Sequence, residues 1–359
     1  MKRLTALALV AFLGASLAER TAAACAGCSN PNLPTARTAI AYLHPGELSL
    51  AFNLTATTMH VTHSEHCPDI GPICNQRDEP AQIHDQRFYV AELRPILALG
   101  ITDRFALEAQ VPLRVVSTTI TFRRLDGTAF APDYQNIHHR DETLYGLGDP
   151  WLFGRMTGAV GALAVTARAG VALPVGSTEE DPFARGRAGL EHQHIQFGTG
   201  TFAPVFALDA GRSFGSVRAG GYAQAMLFVY ENARRYLAGN RYTAGVAGDV
   251  EVVKRLRVGL GADVLNEQPE RWRRVIQQDG NVGRTDVLAG GMVSYALDTL
   301  VLSASIRVPV YQHFIDPGHT HDQDPGQLTY PAIVNLALAT TFGGPKVDPR
   351  PKSGILPPP

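Results

Sequence analysis

Apolar residues recur at every second position in many short segments of this chain. Within residues 300 to 311, one face carries Leu300, Leu302, Ala304, Ile306, Val308 and Val310. The opposite face carries Ser303, Ser305, Arg307 and Tyr311. Residues 105 to 115 and 162 to 173 alternate in the same way. Because successive side chains of a β-strand point to opposite faces, this period of two predicts strands with one apolar face and one polar face.

About twelve such segments follow one another, at the length expected of tilted membrane strands. They lie near residues 46–57, 86–100, 104–121, 145–157, 161–174, 195–209, 215–230, 240–252, 256–267, 284–296, 299–312 and 328–342. Short connections such as 101–104 alternate with long polar ones such as 58–85 and 175–194. A transmembrane barrel has tight turns at one rim and long loops at the other, and its closure pairs every backbone group in lipid. The sequence therefore predicts an all-β fold, an up-and-down antiparallel transmembrane β-barrel of about 12 strands.

The two ends of the chain differ from the alternating region. Residues 1–24 have the charged start, apolar run and small-residue cleavage site of a secretory signal peptide. We expect a periplasmic N-terminal segment at 25–45, the outer-membrane β-barrel at 46–342 and a Pro-rich periplasmic tail at 343–359. Export by the signal peptide predicts a location in the outer membrane of a Gram-negative-type bacterium. Alternatively, the mature chain begins at a lipidated Cys25.

Composition and motifs exclude several functional classes. The net charge of -1 gives no electrostatic attraction to nucleic acid, so the expected partners are outer-membrane lipid and small-molecule solutes. The chain has no Walker loop or H-E-x-x-H motif, and no dinucleotide fingerprint that follows a predicted strand and opens a helix. We therefore predict no enzyme and no cofactor other than a transition metal, and the oligomeric state stays open. An outer-membrane enzyme is kept as an alternative because His192 and His194 lie beside the acidic residues 179–181, although no serine stands out as a nucleophile.

Charged residues on the polar faces of the alternating segments should point into the lumen of the barrel. They are Glu92, Arg94, Glu108, Arg114, Asp149, Arg155, Arg168, Arg218, Asp249, Glu251, Arg257, Asp263, Asp286 and Arg307. The two signs are balanced. These side chains therefore either line a water-filled pore and tune its selectivity, or pair across the lumen and plug it.

Histidines are concentrated in the predicted loops. Imidazole and thiolate groups bind copper, zinc or nickel, and the candidate metal ligands are His60, His63, His66, Cys25 and Cys28. The alternative is a polar loop that is simply rich in histidine, because the spacing matches no standard zinc motif. Other histidines in predicted loops are His84, His138, His139, His192, His194, His313, His319 and His321.

The four cysteines form two close pairs in the sequence. Cys67 and Cys74 predict a disulfide, because export places them in an oxidising compartment. Cys25 and Cys28 lack the following histidine of a haem-attachment motif. They form either a short-loop disulfide or a thiolate pair for a soft metal.

Three stretches carry a resemblance to a known family. They are YGLGDPWLF at 145–153, GVALPVGSTEEDPF at 170–183 and FGTGTFAPVFALDAGRSFG at 197–215. In them the sequence resembles the outer-membrane barrel family named for the MetA pathway of phenol degradation. The resemblance implies a transporter or channel-like barrel for small solutes, with hydrophobic or aromatic compounds as one class of solute. The alternative function is a metal-binding surface protein with His-rich external loops on a barrel scaffold.

Overall fold

A computed structural model describes residue 32 and residues 42–65, 82–132, 136–277, 280–315 and 327–343. The strands in these ranges are β1 Leu48–Glu65, β2 Gln82–Gly100, β3 Phe105–Gln110, β4 Leu113–Arg124, β5 Ala129–Phe130, β6 Glu142–Leu147, β7 Trp151–Val160, β8 Leu163–Ala172, β9 Ala203–Phe214, β10 Val217–Met226, β11 Tyr236–Leu237, β12 Arg241–Val253, β13 Leu256–Glu267, β14 Arg271–Trp272, β15 Arg284–Ala296, β16 Leu300–Phe314 and β17 Ile333–Phe342. A short helix, α1, covers Pro182–Arg187. Among the described residues, no helix has the length and hydrophobicity needed to cross a membrane.

The sheet closes on itself because β1 is paired on both of its edges. It pairs antiparallel with β2 on one side and with β17 on the other. The remaining wall strands follow around the barrel, each antiparallel to its neighbour. β3 and β4 together make one wall strand, as do β6 and β7, which gives a closed barrel of 12 antiparallel strands. The predicted fold class is confirmed.

Both of the interrupted wall strands break beside a proline. Pro112 separates β3 from β4, and Pro150 stands directly before β7. Proline has no N–H to donate to a neighbouring strand, so the ladder is interrupted at both points. The two breaks face each other, since Gly148 donates its backbone N–H to the Pro112 carbonyl at 2.8 Å. Asp149 therefore leaves the wall at a gap in the ladder and can reach into the barrel.

Burial alternates along the strands as the sequence predicts. In β9, Phe206 and Leu208 on the outer face are 49% and 50% exposed, whereas Val205 and Asp209 on the inner face are 0% and 6% exposed. Large apolar side chains are exposed in the same way around the wall. Such a continuous apolar belt is unfavourable in water and is the normal outer surface of a barrel in lipid.

The two rims of the barrel differ in the length of their connections. One rim, called here the short-turn rim, carries tight turns at 101–104, 161–162, 215–216, 254–255 and 297–299. Gly161 and Gly215 have positive φ values of 59° and 61°, as two-residue hairpin turns require. Leu48 and Phe342, at the two ends of the wall, pair with each other at this rim. The opposite rim, the loop rim, carries the long connections.

Several strand boundaries differ from the sequence prediction. β1 continues to Glu65 instead of ending near residue 57, β9 begins at Ala203 instead of near 195, and β17 begins at Ile333 instead of near 328. Residues 195–202 fold into the barrel ahead of the wall strand. Extended chain has a period of two in either place, so alternation alone cannot separate a wall strand from an extended segment inside the barrel. The predicted signal peptide and tail lie outside the described residues.

Replacing Leu302, on the outer face of β16, by arginine should destabilise the barrel by about 2 to 4 kcal/mol near the bilayer centre, because the charge would face lipid. Ser303→Arg, on the inner face of the same strand, is the matched control and should cost much less. Val165 and Thr166 on β8 form a second such pair. Equilibrium unfolding in guanidinium from lipid vesicles measures each cost. Equal costs on the two faces would show that the register or the membrane assignment is wrong.

Candidate functional site

Paired charges line the inner wall of the barrel. Arg168 on β8 donates to Asp209 on β9 at 2.7 Å and lies 3.6 Å from Glu108 on β3. Arg307 on β16 donates to Asp263 on β13 at 2.7 Å. None of these five residues is more than 7% exposed. A buried charge without a partner is strongly destabilising. The need for pairing therefore explains why acidic and basic residues are balanced among the predicted inner positions.

A second group of paired charges lies closer to the short-turn rim. Asp249 accepts a hydrogen bond from Arg218 at 3.0 Å and is also contacted by Arg257. Glu251 lies 3.4 Å from Arg257, and its side chain is 40% exposed. The charges therefore extend from the buried interior to the solvent at this rim.

The structure places the predicted lumen residues as follows. The buried ones are Arg94, Glu108, Arg114, Asp149, Arg155, Arg168, Asp249, Asp263, Asp286 and Arg307. Glu92, Arg218 and Arg257 are partly buried, and Glu251 is exposed. Their role in lining a conducting path stays a prediction.

A third group of polar contacts lies beside aromatic rings. Arg94 donates to Glu92 at 2.9 Å, and its guanidinium lies 4.2 Å from the centre of the Trp151 ring. The side-chain amide of Asn32 donates to Glu267, at the loop-rim end of β13, at 2.6 Å. Asn32 precedes the first wall strand, so the chain upstream of β1 reaches the interior of the barrel at this point.

The connection between β8 and β9, residues 173–202, enters the barrel and is called here the inserted segment. The Asp149 carboxylate accepts hydrogen bonds from the backbone of Gly176 at 3.0 Å and from the backbone and hydroxyl of Thr199, both at 2.7 Å. A side chain on Gly198 would lie 2.4 Å from the carbonyl oxygen of Gly176. The close approach of these two parts of the segment therefore requires glycine, and Asp149 holds both of them.

Helix α1 anchors the inserted segment at the loop rim. One Asp181 oxygen caps the helix by accepting from the backbone N–H of Ala184 at 3.0 Å, and the other accepts from Arg273 at 2.7 Å. Phe183 packs in a buried apolar cluster with Trp272. The segment is thus attached to the wall by Asp149 and to a second long connection by Asp181.

A small cavity lies between the inserted segment and the wall at mid-height. A cavity of about 60 Å³ is bounded by Asn32, Arg94, Arg114, Trp151, Phe197, Phe228 and Arg241, among others. It has room for only a few water molecules. A larger concavity of about 850 Å³ lies on the outer wall beside Met156, Phe206 and Tyr242, where its apolar lining faces the membrane.

Five histidines from three segments meet at the loop rim and are called here the histidine cluster. They are His84 at the start of β2, His138 and His139 between β5 and β6, and His192 and His194 in the inserted segment. The ring centre of His138 lies 4.4 Å from that of His139, 4.5 Å from His192 and 4.7 Å from His194. All five side chains are buried.

The sequence analysis assigned all five of these histidines to loops but did not bring them together. The adjacent pair at 138–139 and the H-x-H spacing at 192–194 were the available signals. Their meeting depends on the inserted segment, because the backbone N–H of His192 donates to the carbonyl of Ile137 at 3.1 Å. Local spacing does not reveal a contact between two separate loops.

The histidines that were predicted as metal ligands lie elsewhere. His60 is on the outer face, 49% exposed, with its Nε2 2.9 Å from Asp85. His63 lies in β1, opposite His84 in the ladder. His66 and the four cysteines, Cys25, Cys28, Cys67 and Cys74, lie outside the described residues, so the corresponding metal and disulfide assignments stay predictions.

Burial disfavours the charged form of two members of the histidine cluster. Burial lowers the pKa of His192, and it lowers the pKa of His194 well below the ordinary value of 6.5, with His192 adding to the effect. The Nδ1–H of His192 donates to the carbonyl of Leu190 at 2.8 Å. Neither ring nitrogen of His194 has a hydrogen-bond partner in the described structure. An unsatisfied buried polar atom costs about 1 to 3 kcal/mol.

Glu270 is another buried ionisable group at the loop rim. It precedes β14 and accepts a hydrogen bond from the Tyr236 hydroxyl at 3.1 Å. Burial raises the pKa of its carboxyl from 4.5 to about 7, against the lowering effect of hydrogen bonds that include one from the backbone of Asn281. The contact between β11 and β14 is therefore coupled to a carboxyl that titrates near neutral pH.

Comparison with known proteins supports the barrel fold. No protein-family model and no curated protein matches the sequence. The crystal structure of an outer membrane channel from Pseudomonas putida F1 aligns with 84% of this chain and 97% of that chain at 12% identity, with a TM-score of 0.55. A Pseudomonas aeruginosa FadL homologue aligns at 12% identity over 83% and 90% of the two chains, with a TM-score of 0.37. The P. putida toluene transporter TodX aligns at 9% identity over 84% and 90%, with a TM-score of 0.39.

The first of these similarities shows the fold alone, and the other two superpose too loosely to support an argument. The expectation of an outer-membrane type of barrel is thereby confirmed. The more specific resemblance to the family named for the MetA pathway is not confirmed.

The packing of β11 on β14 should weaken as pH rises. Because the folded-state pKa of Glu270 is above its ordinary value, its contribution to stability is complete below 4.5 and is lost as pH rises through about 7. Hydrogen exchange of the β11 and β14 amides, corrected for the intrinsic rate, should show more frequent opening at about pH 8 than at about pH 5, by up to about tenfold per pH unit between the two pKa values.

Glu270→Gln should abolish this pH dependence, whereas the control Glu251→Gln, at the exposed short-turn rim, should keep it. A pH dependence that persists in Glu270→Gln would assign the titration to another group.

Proposed function

We propose that the protein is an outer-membrane channel for small solutes that the inserted segment holds closed in this conformation. The observation that carries the proposal is a charged, hydrogen-bonded inner wall inside an apolar outer wall. A barrel that only filled its interior for stability could do so with apolar side chains, since well-packed apolar groups are often at least as stabilising as buried ion pairs. Charges on the inner wall serve a path for water and solutes.

The proposed location is the outer membrane of a Gram-negative-type bacterium, reached through the predicted signal peptide. In this orientation the short-turn rim faces the periplasm and the loop rim faces the outside, as in bacterial outer-membrane barrels. The barrel fold and its apolar outer belt support this location. The histidine cluster and helix α1 would then lie on the external side.

The inserted segment is the part of the closed state that can move without breaking the wall. The wall is held by ladders of backbone hydrogen bonds around the whole barrel. Asp149, by contrast, holds the segment through three hydrogen bonds, each worth about 1.5 to 3 kcal/mol for a charged group. Release of this segment would expose Arg94, Arg114 and Trp151 to the lumen.

Hydrophobic or aromatic compounds are the proposed class of solute. Support comes from the rings that bound the mid-height cavity, namely Trp151, Phe197 and Phe228. The guanidinium of Arg114 lies 5.8 Å from the centre of the Phe197 ring. An aromatic solute could take the place of that ring when the inserted segment moves, and it would meet the same guanidinium.

Asp149→Ala should raise the open probability of the channel in planar lipid bilayers at least about tenfold, because losing one charged hydrogen bond of about 1.5 to 3 kcal/mol already shifts an equilibrium by that factor. Asp298→Ala is the control, since the Asp298 side chain is 85% exposed at the short-turn rim. Unchanged conductance in Asp149→Ala would remove the inserted segment as the closing element. If neither the wild type nor any variant conducts, the result would favour a barrel that serves only as a scaffold, with its lumen permanently closed.

Replacing both Arg168 and Arg307 by glutamine should shift ion preference towards cations, because Glu108, Asp209 and Asp263 would lose their paired positive charge. Reversal potentials across a salt gradient measure the shift. Arg212→Gln removes one positive charge from an exposed position on β9 and should leave the potential unchanged. An unchanged potential in a conducting double variant would place both arginines outside the ion path.

A further inference from the structure

We propose that His138, His192 and His194 form a binding site for a divalent transition-metal ion at the loop rim. Their potential ligand atoms all lie within 4.8 Å of one another, and all three residues are buried. The proposal concerns these side chains alone and does not depend on the channel function.

The backbone fixes the positions from which these three imidazoles meet. The side-chain oxygen of Asn136 accepts from the backbone N–H groups of His138 and His139 at 2.9 and 2.8 Å, which forms a tight turn. The backbone hydrogen bond from His192 to Ile137 joins this turn to the inserted segment. The site is therefore assembled by two connections that already contact each other.

Two of the imidazoles have nitrogen atoms suited to a metal. The Nδ1–H of His192 is engaged with the carbonyl of Leu190 at 2.8 Å, which leaves Nε2 with a free lone pair. A second-shell carbonyl on the other ring nitrogen is the usual arrangement at metal-bound histidines. His194 is 5% exposed, and neither of its ring nitrogens has a hydrogen-bond partner in the described structure. A bound ion would satisfy one of them.

Binding requires the rings to turn. Metal–nitrogen bonds of about 2.1 Å in a tetrahedral site place the nitrogens about 3.4 Å apart, whereas His138 and His194 now lie nearly parallel, at 25° with ring centres 4.7 Å apart. The imidazole torsion has broad minima and allows this rotation. Gly186 leaves room beside His192, because a side chain there would come within 3.1 Å of the imidazole.

The donor set selects the class of ion. Three imidazoles, with no carboxylate or thiolate in the group, suit Zn²⁺, Cu²⁺ or Ni²⁺ and not the oxygen-seeking Mg²⁺ or Ca²⁺. A cavity of about 410 Å³ beside the site is bounded by His192 and by three glutamates and three arginines, Glu179, Glu180, Glu191, Arg140, Arg185 and Arg234. It offers a route for a hydrated cation and space for a water as fourth ligand.

The test uses the full mature chain, refolded in detergent and stripped of metal with a chelator. It is titrated with ZnCl₂, CuCl₂ and MgCl₂, and binding is measured by calorimetry. The site variant is His192→Ala with His194→Ala. The matched control is His44→Ala with His313→Ala, which removes a half-buried and an exposed histidine outside the cluster. Heat-modifiable migration establishes that each barrel is folded. If the double variant fails that check, His194→Gln, which keeps the size and a polar group, takes its place.

We expect the wild type and the control to bind one more equivalent of Zn²⁺ and Cu²⁺ than the site variant does. The site variant should bind the ion of that site more than about 100-fold more weakly than the wild type does. Even changes to residues that only contact the ligands lower metal affinity about 10- to 100-fold. The Cu²⁺ paramagnetic resonance spectrum of that equivalent should show coupling to three nitrogens. Equal stoichiometry and affinity in wild type and site variant, or a wild type that binds neither ion, would overturn the proposal.

Discussion

A segment that crosses a bilayer must pair all its backbone N–H and C=O groups within the protein, because lipid offers no partners. β1 meets this requirement by pairing with β2 on one edge and with β17 on the other. Closure then fixes which face of every strand is inside. The period of two in the sequence, with Leu302 outward and Arg307 inward, follows from that single constraint.

The same closure creates an interior that must be both filled and electrically balanced. Arg168 meets Glu108 and Asp209, and Arg307 meets Asp263, so that few inner charges are left without an opposite sign close by. These contacts join side chains of different strands across the sheet. The interior nearer the loop rim is filled instead by connections that fold inward.

The sequence predicts the wall far better than it predicts the connections. Leu302 and Ser303 could be assigned to opposite faces because alternation is a local property of extended chain. Asp149 could be placed on the inner face, but its partners Gly176 and Thr199 could not be identified. That contact requires residues 195–202 to leave the wall while keeping the same alternation. The histidine cluster escaped prediction for a related reason, since its members come from three separate segments.

The forces that hold the two parts of the molecule also differ in kind. The wall is held by backbone ladders that do not titrate and cannot be lost singly without opening the barrel. The connections inside the barrel and at the loop rim are held by single contacts. Asp149 of the wall accepts from the inserted segment, Asp181 caps helix α1, Tyr236 donates to Glu270, and the backbone of His192 donates to Ile137. Regions held by a few contacts open at lower free energy than the core. Changes of pH, ions or solutes should therefore move the loop rim while the wall stays intact, which is where the proposed channel would have its gate.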